Sequence, residues 1–530
     1  MKRRTFLWLA ALPLLVQAEN VDLSVIHRIK VEAFQNSKVM DYAFHLTDVY
    51  GPRVAGSPGY RAAAEWVVRT AKEIGLENPR LESIGPIGRG WSLKRFSAHL
   101  VEPSPAPLVG FPLAWTGGTD GPVTAEAVLA VVQSESDLAR FKGQLKGKIV
   151  LTDPARQLEP RTAADFRRWT DAELAERAKA PDPGQLPFAM PFPRPGGQPS
   201  PQFRQMMQSR ELRNKLARFL KEEGAVAVIT PGLRGDYGTV FGTSGGSREL
   251  KDPVPPPTVA LATEHYNRIV RLLEKKIPVK LELDVRVEIE EKEVEGYNVL
   301  ADLPGGRKKD ELVMVGAHLD SWHGGTGAAD NAAGCAVMLE VMRILKTLGL
   351  KMDRTVRMAL WDGEELGFLG SRAYVKQYLA DRDTMALKSD FHKFSAYFNL
   401  DNGGGKIRGV YLQGNDMMRP VFEAWLEPFR DLGVTTVTLA NTGGTDHVPF
   451  DAVGLPGFQF IQDPLDYSTR VHHSNMDVYD RLPRGDLMQA SAVIASCVYH
   501  AATRPDLLPR KPLPTPPGRR AEPSKPAPSN

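Results

Sequence analysis

Four strand-like runs in the second half of the chain each lead into carboxylate or imidazole groups. The run from Glu311 to Val315 leads into His318-x-Asp320 and a glycine-rich loop ending in Asp330-Asn331. Thr355 to Trp361 ends in Asp362-Gly-Glu364-Glu365, and Ala396 to Leu400 ends in Asp401. Gly457 to Ile461 precedes a loop carrying His472, His473 and Asp477. Short apolar runs of this kind read as buried strands, and Ala332 to Leu348 reads as a helix between the first two. Strands alternating with helices predict an α/β fold, a mostly parallel mixed sheet flanked by helices, whose ligands sit at the carboxyl ends of the strands. A single His-x-Asp pair is usually a structural hydrogen bond. Four successive strand ends bearing imidazole and carboxylate form a donor set that suits zinc.

The length of 530 residues allows a large core and more than one domain. A net charge of +4 is small for this size and gives no reason to expect a nucleic-acid partner. Part of that charge lies at the ends, in Lys2-Arg3-Arg4, Arg510-Lys511 and Arg519-Arg520. Lys2-Arg3-Arg4, the apolar run Phe6 to Val16 and the small residue Ala18 form a signal-peptide pattern over residues 1–18, and the run is too short to span a bilayer. The expected location is therefore periplasmic or extracellular, by a Sec or a twin-arginine route, with no stable membrane insertion after cleavage. Cys335 and Cys497 sit among apolar residues and are expected as buried thiols, with a disulfide between them left open.

Val21 to Leu76 has a helical pattern broken at Ser57-Pro58-Gly59. From Trp115 the texture changes to short strands: Pro122 to Val132, Lys148 to Thr152, Ala225 to Ile229, Val259 to Ala262 and Val279 to Val287. Pro181 to Pro201 reads as a long loop, a lid or a disordered excursion. Tyr297 to Asp302 restarts the main sheet, and Asp486 to Ala502 is a closing helix. Proline is so frequent from Arg504 onward that a disordered tail is expected over 504–530.

The ordered series His318-x-Asp320, Asp330-Asn331, Glu364-Glu365, Asp401 and His473-Ser-x-x-Asp477 resembles the di-zinc peptidase family M28. Val313 to Gly370 is especially similar to its carboxypeptidase Q branch. The order of strands between residues 116 and 288 resembles a protease-associated domain, a β-rich insertion found in exported members. The resemblance implies a catalytic domain in two parts, 19–115 and 289–503, around that insertion. It implies two Zn²⁺ ions bridged by Asp330, with His318 and Asp401 on one and Glu365 and His473 on the other.

Glu364 would be the general base of a two-metal hydroxide mechanism. Asp320 would fix the tautomer of His318, and Asp477 would do the same for His473. The resemblance also implies a cis peptide bond after Asp330. His472 is expected behind His473 or in the pocket wall, and no role falls to His323 or His500. Thr442 to Phe450, with Asp446 and His447, resembles a substrate-pocket loop. The implied activity is an exported zinc exopeptidase acting on peptides, first of all an aminopeptidase releasing N-terminal residues. A carboxypeptidase or dipeptidase of the carboxypeptidase Q type is the alternative; a glutaminyl cyclase and a non-catalytic receptor are further ones. A homodimer is left open.

Overall fold

The computed structural model describes residues 19–179 and 201–516. The expected signal peptide, most of the Pro181–Pro201 stretch and residues 517–530 lie outside the described residues.

The catalytic sheet is built on the four predicted strands. Across it run Thr436–Thr438, Ile407–Tyr411, Gly457–Gln462, Phe394–Asn399, Lys308–His318, Arg354–Trp361 and the end of Lys280–Leu303. Lys308–His318 is central and parallel to both neighbours, with Trp361 opposite His318 and Asn399 opposite Gly316. Ile407–Tyr411 pairs antiparallel with Gly457–Gln462, and Lys280–Leu303 with Arg354–Trp361, so the sheet is mixed, as expected. Side chains alternate between its faces, as the period of two requires. Val313, Val315 and Ala317 pack with Ala333–Thr347 and Arg484–Thr503 on one face. Met314, Ala359, Trp361 and Tyr397 pack with Tyr374, Val375 and Phe450 on the other.

Local signals set the helices at the amino end. Ser57 caps Pro58–Ile74 by accepting from Tyr60 N, Pro58 occupies the first turn, and Gly75 ends the helix with φ 85°.

The strand Glu77–Glu102 has no counterpart in the sequence reading. It pairs antiparallel with nearly all of Lys280–Leu303, forming a long ribbon. Pro79, Pro86 and several glycines disguise it, because such residues normally mark turns. The register shifts several times along the ribbon, and bulges there accommodate them. The ribbon carries the sheet into a second lobe. There Val123–Leu129, Ile149–Leu151, Ala227–Thr230 and Thr258–Leu261 run parallel, and Gly110–Pro112 pairs antiparallel at the edge. The lobe has its own core, from Ile149, Ile229 and Val259 to Tyr266 and Ile269 of the helix Thr263–Glu274.

Residues 504–516 correct the expectation of disorder from Arg504. Leu508 is 2% exposed, Arg354 bonds to the carbonyls of Arg504 and Pro505, and Lys511 pairs with Asp451 at 2.5 Å. The prolines rule out helix and internal strand, but they do not prevent an extended segment from packing through its carbonyls and side chains. Cys335 and Cys497 are both free and buried. Cys335 Sγ donates to the His318 carbonyl at 3.0 Å.

Candidate metal centre

His318 ends the central strand and is 1% exposed. Its Nδ1 lies 2.9 Å from the backbone carbonyl of Asp320. A carbonyl only accepts, so Nδ1 carries a hydrogen and Nε2 is turned to the site. Nε2 lies 3.2 Å from Asp330 Oδ1 and 3.3 Å from Asp401 Oδ1. Burial alone would lower the His318 pKa, but Asp401 and Glu364 raise it well above the ordinary value.

Asp330 faces the other way with its second oxygen. Oδ2 lies 3.2 Å from His473 Nε2 and 3.7 Å from His472 Nε2. His473 Nε2 is also 3.0 Å from Glu365 Oε2. Burial pushes the Asp330 carboxyl up, yet the facing imidazoles of His318 and His473 hold it well below the usual range. Burial raises Glu365 to about 7 and Glu364 well above its ordinary value.

Two donor sets therefore meet at Asp330: His318, Asp330 and Asp401 on one side, and Asp330, His472 and His473 on the other. Glu365 joins the second through His473. Asp330 Oδ2 is buried and has no well-formed hydrogen bond, although two imidazoles approach it. A buried carboxylate oxygen in that position suits a cation. Nitrogen and oxygen donors converging from separate strand ends fit a divalent transition metal.

The five expected ligands are thus brought together, and their supports differ from expectation. The Asp320 carboxylate lies 3.7 Å from His318 Nδ1, longer than a hydrogen bond. It accepts the backbone hydrogens of Glu364 and Glu365, at 3.1 and 3.3 Å, and the Asp320 carbonyl serves the histidine instead. Asp477 does not reach toward His473 in any recorded bond; its Oδ1 accepts from Ala329 N at 2.6 Å and so braces the loop that carries Asp330. Burial beside Asp330 raises Asp477 to about 8. Both carboxylates act on backbone, and sequence spacing says little about such contacts.

The Asp330–Asn331 bond is cis. Asn331 Nδ2 donates to the Leu400 carbonyl at 2.9 Å, tying this loop to the strand that delivers Asp401. Trp322 Nε1 donates to Glu365 Oε2 at 2.7 Å and fixes that carboxylate. His473 has φ 62°, which is uncommon for a residue other than glycine. His472 stacks on His473 with ring centres 3.7 Å apart and remains partly exposed.

Asp446 and His447 were expected to line the pocket, but both are wholly buried. Asp446 Oδ1 accepts from Ser371 Oγ at 2.5 Å, and burial raises this carboxyl to about 8. His447 Nε2 lies 3.0 Å from the Thr442 carbonyl.

Arg53 was missed by the sequence reading, which gave it no role. Its buried guanidinium donates to the carbonyls of Leu319, Leu46, Thr326 and Gly327 at 2.5–2.9 Å. It pins both ends of the loop between His318 and Asp330. A charged residue inside a turn-rich leader was the available signal.

Residues 298–498 match the model of peptidase family M28. The chain is 26% identical to carboxypeptidase Q of Mus musculus over 496 residues, covering 93% of this chain and 91% of that protein. It also resembles the crystal structure of a peptidase M28 precursor from Shewanella amazonensis SB2B, with 26% identity, a TM-score of 0.64, and 93% and 98% of the two chains covered. A zinc aminopeptidase from Bacillus subtilis shares the fold at 21% identity and a TM-score of 0.52, with 88% and 94% covered. The catalytic-sheet match, the relatives spanning most of the chain and the ordered strand-end donors agree: residues 298–498 carry the peptidase family M28 region, and the chain is a metallo-exopeptidase, as the donor series led one to expect.

Proposed function

We propose that the chain is an exported zinc exopeptidase whose site holds two Zn²⁺ ions bridged by Asp330. The observation that carries this reading is the division of the Asp330 carboxylate, one oxygen toward His318 and the other toward His473. His318 and Asp401 would hold one ion, and Glu365 and His473 the other. What zinc supplies in such a site is Lewis acidity toward the scissile carbonyl and toward water.

The chain's own residues do the rest. Glu364 is buried, and its amide is gripped by Asp320. Burial raises its affinity for a proton. It is therefore suited to take a proton from the attacking water and return it to the departing amine. Trp322 keeps Glu365 turned toward His473, leaving the adjacent Glu364 free for proton transfer. The lobe over 116–288 is read as the protease-associated insertion. Export rests on the amino-terminal pattern; among the described residues no helix is long and apolar enough to cross a membrane.

Release of the N-terminal residue is the first reading of the cut. The near-full-length likeness to carboxypeptidase Q supports a second, a carboxypeptidase or dipeptidase. A paired assay separates them, using an aminoacyl anilide, an N-blocked peptide and a free dipeptide, with zinc content measured alongside. Zinc-dependent release of N-terminal amino acids is expected. Trimming of the blocked peptide from its carboxyl end, with no anilide turnover, would overturn the aminopeptidase reading.

A further inference from the structure

The loop that carries His472 and His473 is bracketed by two polar side chains, and both reach into the second lobe. Arg470 stands before the histidines, with its side chain 12% exposed. Its Nε donates to Asp165 Oδ2 at 2.7 Å, and its Nη1 faces Asp236 Oδ1, the Asp236 carbonyl and Thr239 Oγ1 at 2.7–2.9 Å. Asn475 stands after them. Its Oδ1 accepts from Val240 N at 2.8 Å, its Nδ2 donates to the Gly238 carbonyl at 3.1 Å, and its own N donates to the Val240 carbonyl at 3.1 Å. Between the two, Gly242 N donates to the His473 carbonyl at 3.1 Å. The Ser474 hydroxyl closes the loop onto the Arg470 carbonyl.

This bracket falls on a backbone that needs holding. His473 has φ 62°. A residue with a side chain keeps to the left-handed region only where its surroundings impose it. The bonds from the second lobe are made to His473 itself and to residues on both sides of it. The other half of the site is built differently. His318 ends a strand paired in register on both sides, and Asp401 follows the strand Phe394–Asn399, which runs parallel to that one. The two halves of the donor set therefore rest on different parts of the fold.

We propose that Arg470 and Asn475 are positioning residues through which the second lobe sets the backbone of His473, and that the lobe thereby governs zinc affinity at the His473 and Glu365 half of the site alone. This rests on the two-zinc reading above and deepens it. Both residues act through His473, by fixing where its imidazole points. A ligand held in place beforehand binds an ion without a further ordering cost. Release from the bracket lets the backbone relax from φ 62° and carries the imidazole away from Glu365 and Asp330.

The test titrates the zinc-free full chain against a competing chelator and reads both zinc-binding constants. It compares the wild type with Asn475→Ala, Arg470→Gln and Arg470→Lys. Arg470→Gln leaves neither acid unpaired, because Arg161 also pairs with Asp165 and Asp236, and Asn475→Ala removes no charge. Urea unfolding of each zinc-free variant checks that it is folded. One constant should weaken by about 10–100-fold in Asn475→Ala and in Arg470→Gln, the scale for residues that orient a metal ligand. The other should move little, and Arg470→Lys should recover part of the loss. Anomalous maps of these variants at limiting zinc should show the retained ion beside His318 and Asp401. With added zinc kcat should return, and KM should stay nearly steady. A variant whose two constants stay at wild-type values removes its residue from the assignment. Constants that weaken together, or a retained ion beside His473, would overturn the proposal while leaving the two-zinc reading in place. A wild type that binds only one zinc would remove both.

Discussion

Asp320 turns its carboxylate to the backbone amide of Glu364, 3.1 Å away, while its carbonyl accepts from His318 Nδ1 at 2.9 Å. One residue thus connects a candidate metal-ligand histidine to the loop that carries the proposed base. Asp320→Ala would leave the buried amides of Glu364 and Glu365 without their acceptor. The expected cost is about 2–4 kcal/mol of stability, with a large fall in kcat. The tautomer of His318 should persist, because the carbonyl remains. Urea unfolding, zinc content and turnover measured on the same preparation check this; near wild-type kcat in Asp320→Ala would refute it.

The proton role assigned to Glu364 separates it from its neighbour. Glu364→Gln keeps shape and burial but cannot take a proton from water at neutral pH. Both zinc ions should stay, KM should move little, and kcat should fall by about 10²–10⁴-fold. Glu365→Gln should instead lose affinity for zinc, since Glu365 faces His473 at 3.0 Å, and added zinc should restore part of its activity. Loss of zinc from Glu364→Gln, or retention of most of its turnover, would contradict the assignment.

The candidate ligands were legible because chemistry at strand ends is written locally. His318 and Asp401 follow apolar runs that read as buried strands, and the other donors fall in order in the loops after them. Supports that act through backbone were not legible. Asp477 holds Ala329 N, and Arg53 holds four carbonyls of other segments, contacts that no spacing rule encodes. The ribbon strand Glu77–Glu102 was hidden for a different reason: its prolines and glycines imitate turns, and only pairing with Lys280–Leu303 makes it a strand. In the tail, proline frequency was read as disorder, yet Arg354, Asp451 and Asn415 bind it down.

His323 should make the fold acid-sensitive. It lies between Trp91 and Phe111, and its Nε2 donates to the Pro112 carbonyl at 2.6 Å. Burial lowers its pKa to about 4. An unfolded histidine titrates near 6.5, so the unfolded chain binds more protons as pH falls. The contribution is complete above about pH 6.5 and is lost as pH drops toward 4, amounting to about 2 kcal/mol by pH 5. His323→Gln keeps a donor for Pro112 without a titrating ring. Its stability should fall less steeply than that of the wild type between pH 7 and 5, and parallel slopes would show that His323 does not carry the effect.

The central claim is that Asp330 stands between two zinc ions. Anomalous diffraction from zinc-loaded crystals, recorded on both sides of the zinc edge, tests it most directly. The account predicts two zinc peaks flanking Asp330, one contacting His318 and Asp401 and the other Glu365 and His473. A single peak, or two peaks that Asp330 does not bridge, would contradict it.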